Sequence, residues 1–233
     1  MQLRAEGVWQ LSGFPEDWFN VYLLEDALID TATRWAKHRI LRQLRNRQVR
    51  MVALTHCHPD HQGAAKAICE HFDAPLACHE ADVPAMEGRA RMVPQNRVIR
   101  LGERFWAGPP HPVGRVLRAG DEVAGFRVIH APGHTPGHVM FFREADGIAI
   151  AGDVLFNINF LTRKVGLGEP PPFFSVDAAQ NRRSIRTLVE LRPKLICFGH
   201  GPPLRNLELL EEFVNRKTLQ AAAPNPFAGL AFR

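Results

Sequence analysis

The sequence lacks the features of membrane, secreted and disulfide-stabilised proteins. No apolar run reaches the roughly 18 residues of a transmembrane helix. The first residues show no basic segment followed by an apolar stretch, so no signal peptide is expected. The four cysteines contain no CxxC pair and no spacing typical of a disulfide framework. These absences predict a cytoplasmic protein that contacts no membrane.

A block of one charge sign is also missing. The net charge is +5, but the basic residues are scattered along the chain, so no nucleic-acid partner is expected. No repeat or linker divides the 233 residues, of which 45% are hydrophobic, enough for a sizeable core. We therefore predict a single domain over residues 1–233, whose Ala- and Pro-rich tail, residues 222–233, is loosely ordered.

Apolar runs alternate with helical patterns along the chain. Val49–Leu54 is a continuous apolar run typical of a buried strand, and Arg34–Arg47 repeats its apolar residues at helical spacing. Residues 90–120 show no period and predict long loops with short strands. The predicted strands fall into two groups, residues 7–78 and residues 116–198. Two sheets packed face to face with helices outside would accommodate this order, which is a mixed class, α+β or α/β.

A dense cluster of candidate metal ligands follows the first of these runs. Three histidines and an aspartate lie within six residues: His56, His58, Asp60 and His61. In an extended segment residues i and i+2 share a face, so His56 and His58 point one way and Cys57 points into the core. Imidazole and carboxylate are ligands that zinc accepts. The cluster therefore predicts a divalent-metal site.

Three further candidates each follow a glycine at the end of an apolar strand: His134, Asp153 and His200. Glycine lets the backbone turn sharply there, and strand ends at one edge of a sheet can converge on a shared centre. Seven candidate ligands are more than the four that a tetrahedral zinc site takes. The pattern therefore suggests two metal ions.

These residues, in this order, follow the pattern HxHxDH, then His, Asp and His. From about residue 7 to residue 219 the sequence resembles the metallo-β-lactamase-fold hydrolase superfamily. The resemblance implies a four-layer αββα sandwich with the metals at one edge. It favours a glyoxalase-II-like subgroup without the C-terminal helical substrate domain, because few residues follow His200.

The resemblance also implies a ligand set for each metal. The first set is His56, His58 and His134; the second is Asp60, His61 and His200; Asp153 bridges the two. The implied cofactors are two divalent ions, with Zn²⁺ expected and iron or manganese as alternatives. A hydroxide held between them would attack a carbonyl. Asp60 is the expected catalytic residue, which orients that hydroxide or accepts its proton.

Several residues near the ligands are expected to support them or to bind substrate. Asp30 ends a predicted strand where the family often keeps an aspartate that steadies a ligand histidine. Thr135 and His138 flank His134 and are assigned the same supporting role. The alternative for His138 is that its ring is simply hydrogen-bonded at the end of a strand and has no role in the site. Phe156 and Phe160 follow Asp153 in an apolar insertion, Leu155–Phe174. This insertion is expected either to form a wall of the substrate pocket or to pack in the core.

The substrate is not fixed by the family, which acts on thioesters, lactones, β-lactams, phosphoesters and persulfides. Lactonases of the family carry a tyrosine three residues after the bridging aspartate, where this chain has Phe156, and its one tyrosine is Tyr22. We predict hydrolysis of a small-molecule ester, thioester or lactone-like carbonyl. The alternatives are a mononuclear iron persulfide dioxygenase, a phosphoesterase or nuclease, and an inactive binding protein. A homodimer stays open.

Overall fold

A computed structural model of the protein describes the backbone of residues 1–222 and the side chains of residues 1–216. The predicted loose tail, residues 222–233, therefore lies outside the described residues except for Ala222, which ends the last helix.

The described chain alternates strands and helices from end to end. Its strands are β1 Gln2–Ala5, β2 Val8–Gln10, β3 Tyr22–Leu24, β4 Ala27–Ile29, β5 Met51–Ala53, β6 Leu76–His79, β7 Arg115–Leu117, β8 Glu122–Val123, β9 Phe126–His130, β10 Val139–Arg143, β11 Ile148–Gly152, β12 Phe156–Ile158, β13 Val165–Gly168 and β14 Leu195–Phe198. Its helices are α1 Lys37–Leu44, α2 Pro59–Gln62, α3 Ala65–Phe72, α4 Val83–Met86, α5 Arg97–Phe105, α6 Ala178–Glu190 and α7 Leu207–Ala222.

Two large sheets organise these elements. The first has seven strands in the order β1-β2-β3-β4-β5-β6-β7, antiparallel as far as β4 and parallel from β4 to β7. The second has five strands in the order β14-β11-β10-β9-β8, in which only β14 and β11 pair in parallel. Strands β12 and β13 form a separate hairpin in the apolar insertion.

Strand alternation divides the buried side chains into three apolar layers. In β3 and β4, Leu23 and Leu28 face helices α1 and α3, whereas Tyr22 and Ile29 face the second sheet. On the far side of the second sheet, Met140 and its neighbours pack against α6 and α7. Because side chains alternate between the faces of a strand, each sheet contributes to two layers. The predicted four-layer αββα sandwich is confirmed.

The candidate ligands meet because their strands end at one edge. Strands β4, β5 and β6 run in parallel, so their carboxyl ends lie side by side. In the second sheet β9, β11 and β14 share one direction, since β10 is antiparallel to both β9 and β11. The two edges touch where the Val139 amide donates to the Thr55 carbonyl over 2.8 Å. The segments that follow these strands therefore line one cleft.

Helices α4 and α5 were not expected from the sequence. Helix α5 lies in residues 90–120, for which loops and short strands were predicted, and that prediction is wrong over Arg97–Phe105. Asn96 caps the helix by accepting hydrogen bonds from the amides of Val98 and Ile99. Its apolar residues Val98, Leu101 and Phe105 repeat at helical spacing but are exposed, and only Ile99 is buried, so the helical period is short and lies within a Pro-, Gly- and Arg-rich stretch.

No helix of the described residues is long and apolar enough to cross a membrane. The cytoplasmic location stays a prediction. All four cysteines are free and buried, and Cys57 packs in the apolar layer between the first sheet and its helices.

Candidate metal centre

The Asp153 carboxylate lies at the centre of the histidine cluster. Its Oδ2 atom is 3.1 Å from Nε2 of His200, 3.3 Å from Nε2 of His61, 3.5 Å from Nε2 of His134 and 3.9 Å from Nε2 of His56. All five side chains are almost completely buried. Candidate ligands from the segments that follow β5, β9, β11 and β14 therefore face one point.

The ligand atoms divide into three sets, in each of which they lie within 4.8 Å of one another. These sets are His56, His58 and His134; His56, His61 and Asp153; and Asp60, His61 and His200. The first and third sets have the composition that the family resemblance implies for two separate metals. The middle set contains Asp153 and shares a residue with each of the other two.

Backbone and side-chain acceptors fix which nitrogen of each imidazole faces the centre. Nε2 of His58 donates to the Val93 carbonyl over 2.7 Å, which leaves its Nδ1 lone pair inward. Nδ1 of His200 donates to the Trp18 carbonyl, which leaves Nε2 inward. A metal-ligating histidine typically donates its other ring N–H to such an acceptor, because this fixes its tautomer.

Asp30 and Thr55 support two more ligands from behind. Oδ2 of Asp30 accepts a hydrogen bond from Nδ1 of His61 over 2.9 Å and another from the Thr55 hydroxyl over 2.8 Å. The Thr55 hydroxyl in turn lies 3.1 Å from Nδ1 of His56. The structure thus places Asp30 against His61, a candidate ligand, while the contacts of Thr55 were not anticipated.

The chemistry of the cluster fits divalent cations. Nε2 of His56 and Oδ1 of Asp153 are buried and have no hydrogen-bond partner among the described residues. Nε2 of His134 lies 2.9 Å from Nδ1 of His58, so two inward imidazole nitrogens face each other directly. Buried polar atoms left unpaired cost free energy. A cation between these lone pairs would satisfy them.

Burial and the central carboxylate set the charges of the cluster. Burial, and then the neighbouring histidines, hold the pKa of His56 and of His134 well below the usual value, which keeps their lone pairs free. Burial also lowers the pKa of His61, but Asp153 and Asp30 together outweigh it and raise this pKa. For Asp153, burial is outweighed by His200 and His61, so its pKa lies well below the usual range and it stays ionised.

Asp60 stands at the rim of the cluster rather than inside it. It lies with His61 in the short helix α2, and its Oδ2 atom is 3.4 Å from Nε2 of His200. Its side chain keeps 17% of its accessible surface. This carboxylate can therefore contact both the candidate ligands and a water that enters the cleft.

His138 packs against the ligands without belonging to a ligand set. Its ring stacks on that of His56 with 5.0 Å between centroids, and its Nε2 atom accepts a hydrogen bond from the Asp153 amide over 2.9 Å. Thr135 contacts a residue that the sequence did not single out: its hydroxyl donates to Asp82 over 3.3 Å. Asp82 follows β6, at the same edge as the ligands, but strand order could not be determined from the sequence.

Aromatic rings line the cleft on the side of His200. Phe156 and Phe160 meet the His200 ring edge-on at 4.8 and 5.0 Å between centroids, and Phe19 does so at 5.7 Å. Phe156 and Phe160 also pack on each other. Phe156 is buried yet belongs to none of the three apolar layers. The ring therefore faces the candidate metal centre rather than the core.

Comparison with known proteins agrees with this geometry. A family model described as "Metallo-beta-lactamase superfamily" matches residues 20–200. The chain is 30% identical over 189 residues to "Probable metallo-hydrolase YflN" of Bacillus subtilis, covering 72% of each chain. It is 31% identical over 160 residues to "Hydroxyacylglutathione hydrolase GloC" of Haemophilus influenzae, covering 66% of this chain and 69% of that one.

A solved structure described as "TTHA1623 in a di-iron-bound form" is also similar. It is 32% identical, with a TM-score of 0.66, and the match covers 87% of this chain and 96% of that chain. The arrangement of the sheets thus recurs in a protein that is described as binding two iron ions.

Proposed function

This chain belongs to the metallo-beta-lactamase superfamily, and on that premise we propose that it is a two-metal hydrolase of small-molecule esters or thioesters. The observation that carries the proposal is the position of Asp153, whose Oδ2 atom lies within 3.9 Å of four inward imidazole nitrogens. One carboxylate between two ligand sets is the arrangement that two neighbouring cations require, because it neutralises charge for both.

Each end of this site would hold one metal ion. His56, His58 and His134 would hold the first ion, and Asp60, His61 and His200 would hold the second, with Asp153 between them. Two divalent cations supply Lewis acidity and lower the pKa of bound water, so that water becomes a nucleophile near neutral pH. Zn²⁺ is the proposed ion. Iron is the alternative, supported by the di-iron form of the similar structure.

The residues of the chain do the rest of the chemistry. Asp60 is the proposed proton acceptor, since it is a partly exposed carboxylate at the rim of the ligand cluster. Asp30 and Thr55 hold His61 and His56 in the tautomers that point a lone pair inward. His138 restrains the Asp153 backbone through its Nε2 atom.

The cleft wall indicates the kind of substrate. Phe156 and Phe160 offer apolar ring edges beside His200 and no hydrogen-bond donor. An acyl or aryl group would pack there, whereas the oxyanion of the reaction would depend on the cations for stabilisation. This favours substrates with good leaving groups, such as thioesters, over lactones. Similarity to the hydroxyacylglutathione hydrolase, whose named substrate is a thioester, supports the same class.

Metal content measured together with a substrate panel tests the proposal. The panel contains an ester, a thioester, a lactone and a phosphoester, each assayed with the metal-loaded protein, after chelation, and after Zn²⁺ is returned. We expect the thioester or ester to be hydrolysed, hydrolysis to stop on chelation, and activity to return with Zn²⁺. A metal-loaded protein that hydrolyses nothing on the panel contradicts the proposal. One iron per chain, with oxygen consumed on glutathione persulfide, would instead establish the dioxygenase alternative.

A further inference from the structure

Asp82 is a buried carboxylate that contacts two of the loops around the candidate metal centre. It lies between β6 and α4 and is 4% exposed. Its Oδ2 atom accepts hydrogen bonds from the Cys57 amide over 2.8 Å and from the Thr135 hydroxyl over 3.3 Å. Its Oδ1 atom accepts one from the Gly137 amide over 3.1 Å. One side chain therefore joins two loops that are distant in sequence.

The groups that donate hydrogen bonds to Asp82 lie next to the ligands of the first set in the sequence. The Cys57 amide lies between His56 and His58, and Thr135 directly follows His134. All three ligands of that set are therefore carried by backbone that Asp82 ties together. The second ligand set is supported by other groups, namely the carboxylate of Asp30 and the carbonyl of Trp18.

The packing around Asp82 leaves little freedom. A Cβ atom at Gly137 would lie 2.4 Å from Oδ1 of Asp82. The His134 loop can therefore come this close to Asp82 only because residue 137 is glycine. Among the described side chains no basic group forms an ion pair with Asp82. Burial raises the pKa of this carboxyl to about 6. A buried charge without a cationic partner is costly, so stability alone does not explain it.

We propose that Asp82 is a positioning residue for the first metal: it holds the His56–His58 segment and the His134 loop at the separation that lets their nitrogens share one cation. The inference rests on the proposed function, because it requires the first ligand set to bind a metal. Replacement by asparagine keeps the shape but puts an NH₂ group either against the Gly137 amide or against the Cys57 amide and the Thr135 hydroxyl. The loops must then separate at that point.

Zn²⁺ affinity, measured by competition with a chromophoric chelator, tests this role. Two backgrounds separate the ligand sets: His200→Ala leaves the first set intact, and His58→Ala leaves the second. In the His200→Ala background we expect Asp82→Asn to weaken Zn²⁺ binding about 10–100-fold, the range seen when support behind a ligand is lost. In the His58→Ala background the same substitution should change affinity by less than about threefold.

Two further variants sharpen the result. Thr135→Val removes only the 3.3 Å bond, so it should weaken the first set less than Asp82→Asn does, and it serves as the test if Asp82→Asn does not fold. Glu80→Gln removes an exposed charge nearby, paired with Arg118 at 3.3 Å, and should change neither set.

The outcomes separate this inference from the proposed function. Equal weakening of both sets by Asp82→Asn, or no weakening of the first, overturns the positioning role while the metal site stands. Failure of the unsubstituted protein to bind Zn²⁺ overturns the proposed function together with this inference.

Discussion

Replacing Asp30 by asparagine should weaken the second metal site by changing the tautomer of His61. Oδ2 of Asp30 accepts from Nδ1 of His61 at 2.9 Å and from the Thr55 hydroxyl at 2.8 Å, while Oδ1 accepts from the Thr55 amide at 2.8 Å. If the asparagine oxygen keeps the bond to the Thr55 amide, its NH₂ group faces His61. Nδ1 must then accept, so the proton moves to Nε2, the atom that would bind the cation.

A proton on Nε2 of His61 blocks the atom that would bind the cation, so the metal affinity should fall. Loss of such a supporting contact typically costs 10–100-fold in metal affinity, which corresponds to about 1.4–2.7 kcal/mol. Asparagine is the suitable substitution, because Asp30 has a φ of 59° and asparagine tolerates this left-handed conformation. The backbone should therefore remain as it is.

Zn²⁺ titration in the His58→Ala background measures this affinity, and ¹⁵N spectra of the metal-free protein, recorded at a pH high enough to deprotonate His61, report its tautomer. The matched control is Asp26→Asn on the neighbouring hairpin, where the carboxylate is 46% exposed and pairs with Arg50 at 3.3 Å; it should leave both readouts unchanged. Unchanged affinity in Asp30→Asn, with the Nδ1–H tautomer retained, would refute the reasoning.

Three further predictions concern the cleft, the thiols and helix α5. Phe156→Tyr should raise lactone turnover about tenfold or more, because the tyrosine hydroxyl adds a hydrogen-bond donor beside His200. This increase corresponds to an activation barrier lower by at least about 1.4 kcal/mol. Unchanged turnover with metals bound would mean that the ring does not reach the substrate. Burial raises the pKa of the Cys197 thiol from 9.0 to about 12, so the stabilisation from keeping this thiol protonated in the folded state is complete below pH 9 and is lost as the pH rises toward 12. Between pH 8 and pH 10 the free energy of unfolding in urea should therefore fall by about 1.4 kcal/mol less for Cys197→Ala than for the wild type. Equal decreases would argue against a buried thiol. Asn96→Ala should lower the unfolding free energy by about 1 kcal/mol through loss of the α5 cap, and no change would argue against the capping geometry.

The sequence was sufficient to predict that the candidate ligands lie close together, because these residues obey local rules. His56 and His58 share a face by strand alternation, and His134, Asp153 and His200 each follow a glycine at the end of a strand. The layer order followed from two groups of strands with helices around them. These features depend on a few neighbouring residues, which the sequence shows directly.

The supporting contacts could not be predicted because they join distant segments. Asp82 meets Cys57 across 25 positions, and Val93 meets His58 across 35. Nothing in the spacing of these residues shows that β6 lies beside β5, or that the chain after α4 returns to the cleft. Tertiary packing, not local pattern, therefore decides the supporting contacts. Helix α5 was missed for another reason: its apolar residues repeat at helical spacing, but over only nine residues of a Pro-, Gly- and Arg-rich stretch, and only Ile99 is buried.

The metal content of wild-type protein and of His56→Ala, measured by plasma mass spectrometry alongside hydrolysis of the preferred substrate, tests the central claim most directly. His56 contributes to two of the three ligand sets, so the account predicts about two divalent ions per wild-type chain, with loss of the first ion and of hydrolysis in His56→Ala. Full metal content and full activity in His56→Ala would contradict the assignment of this cluster as the catalytic metal centre.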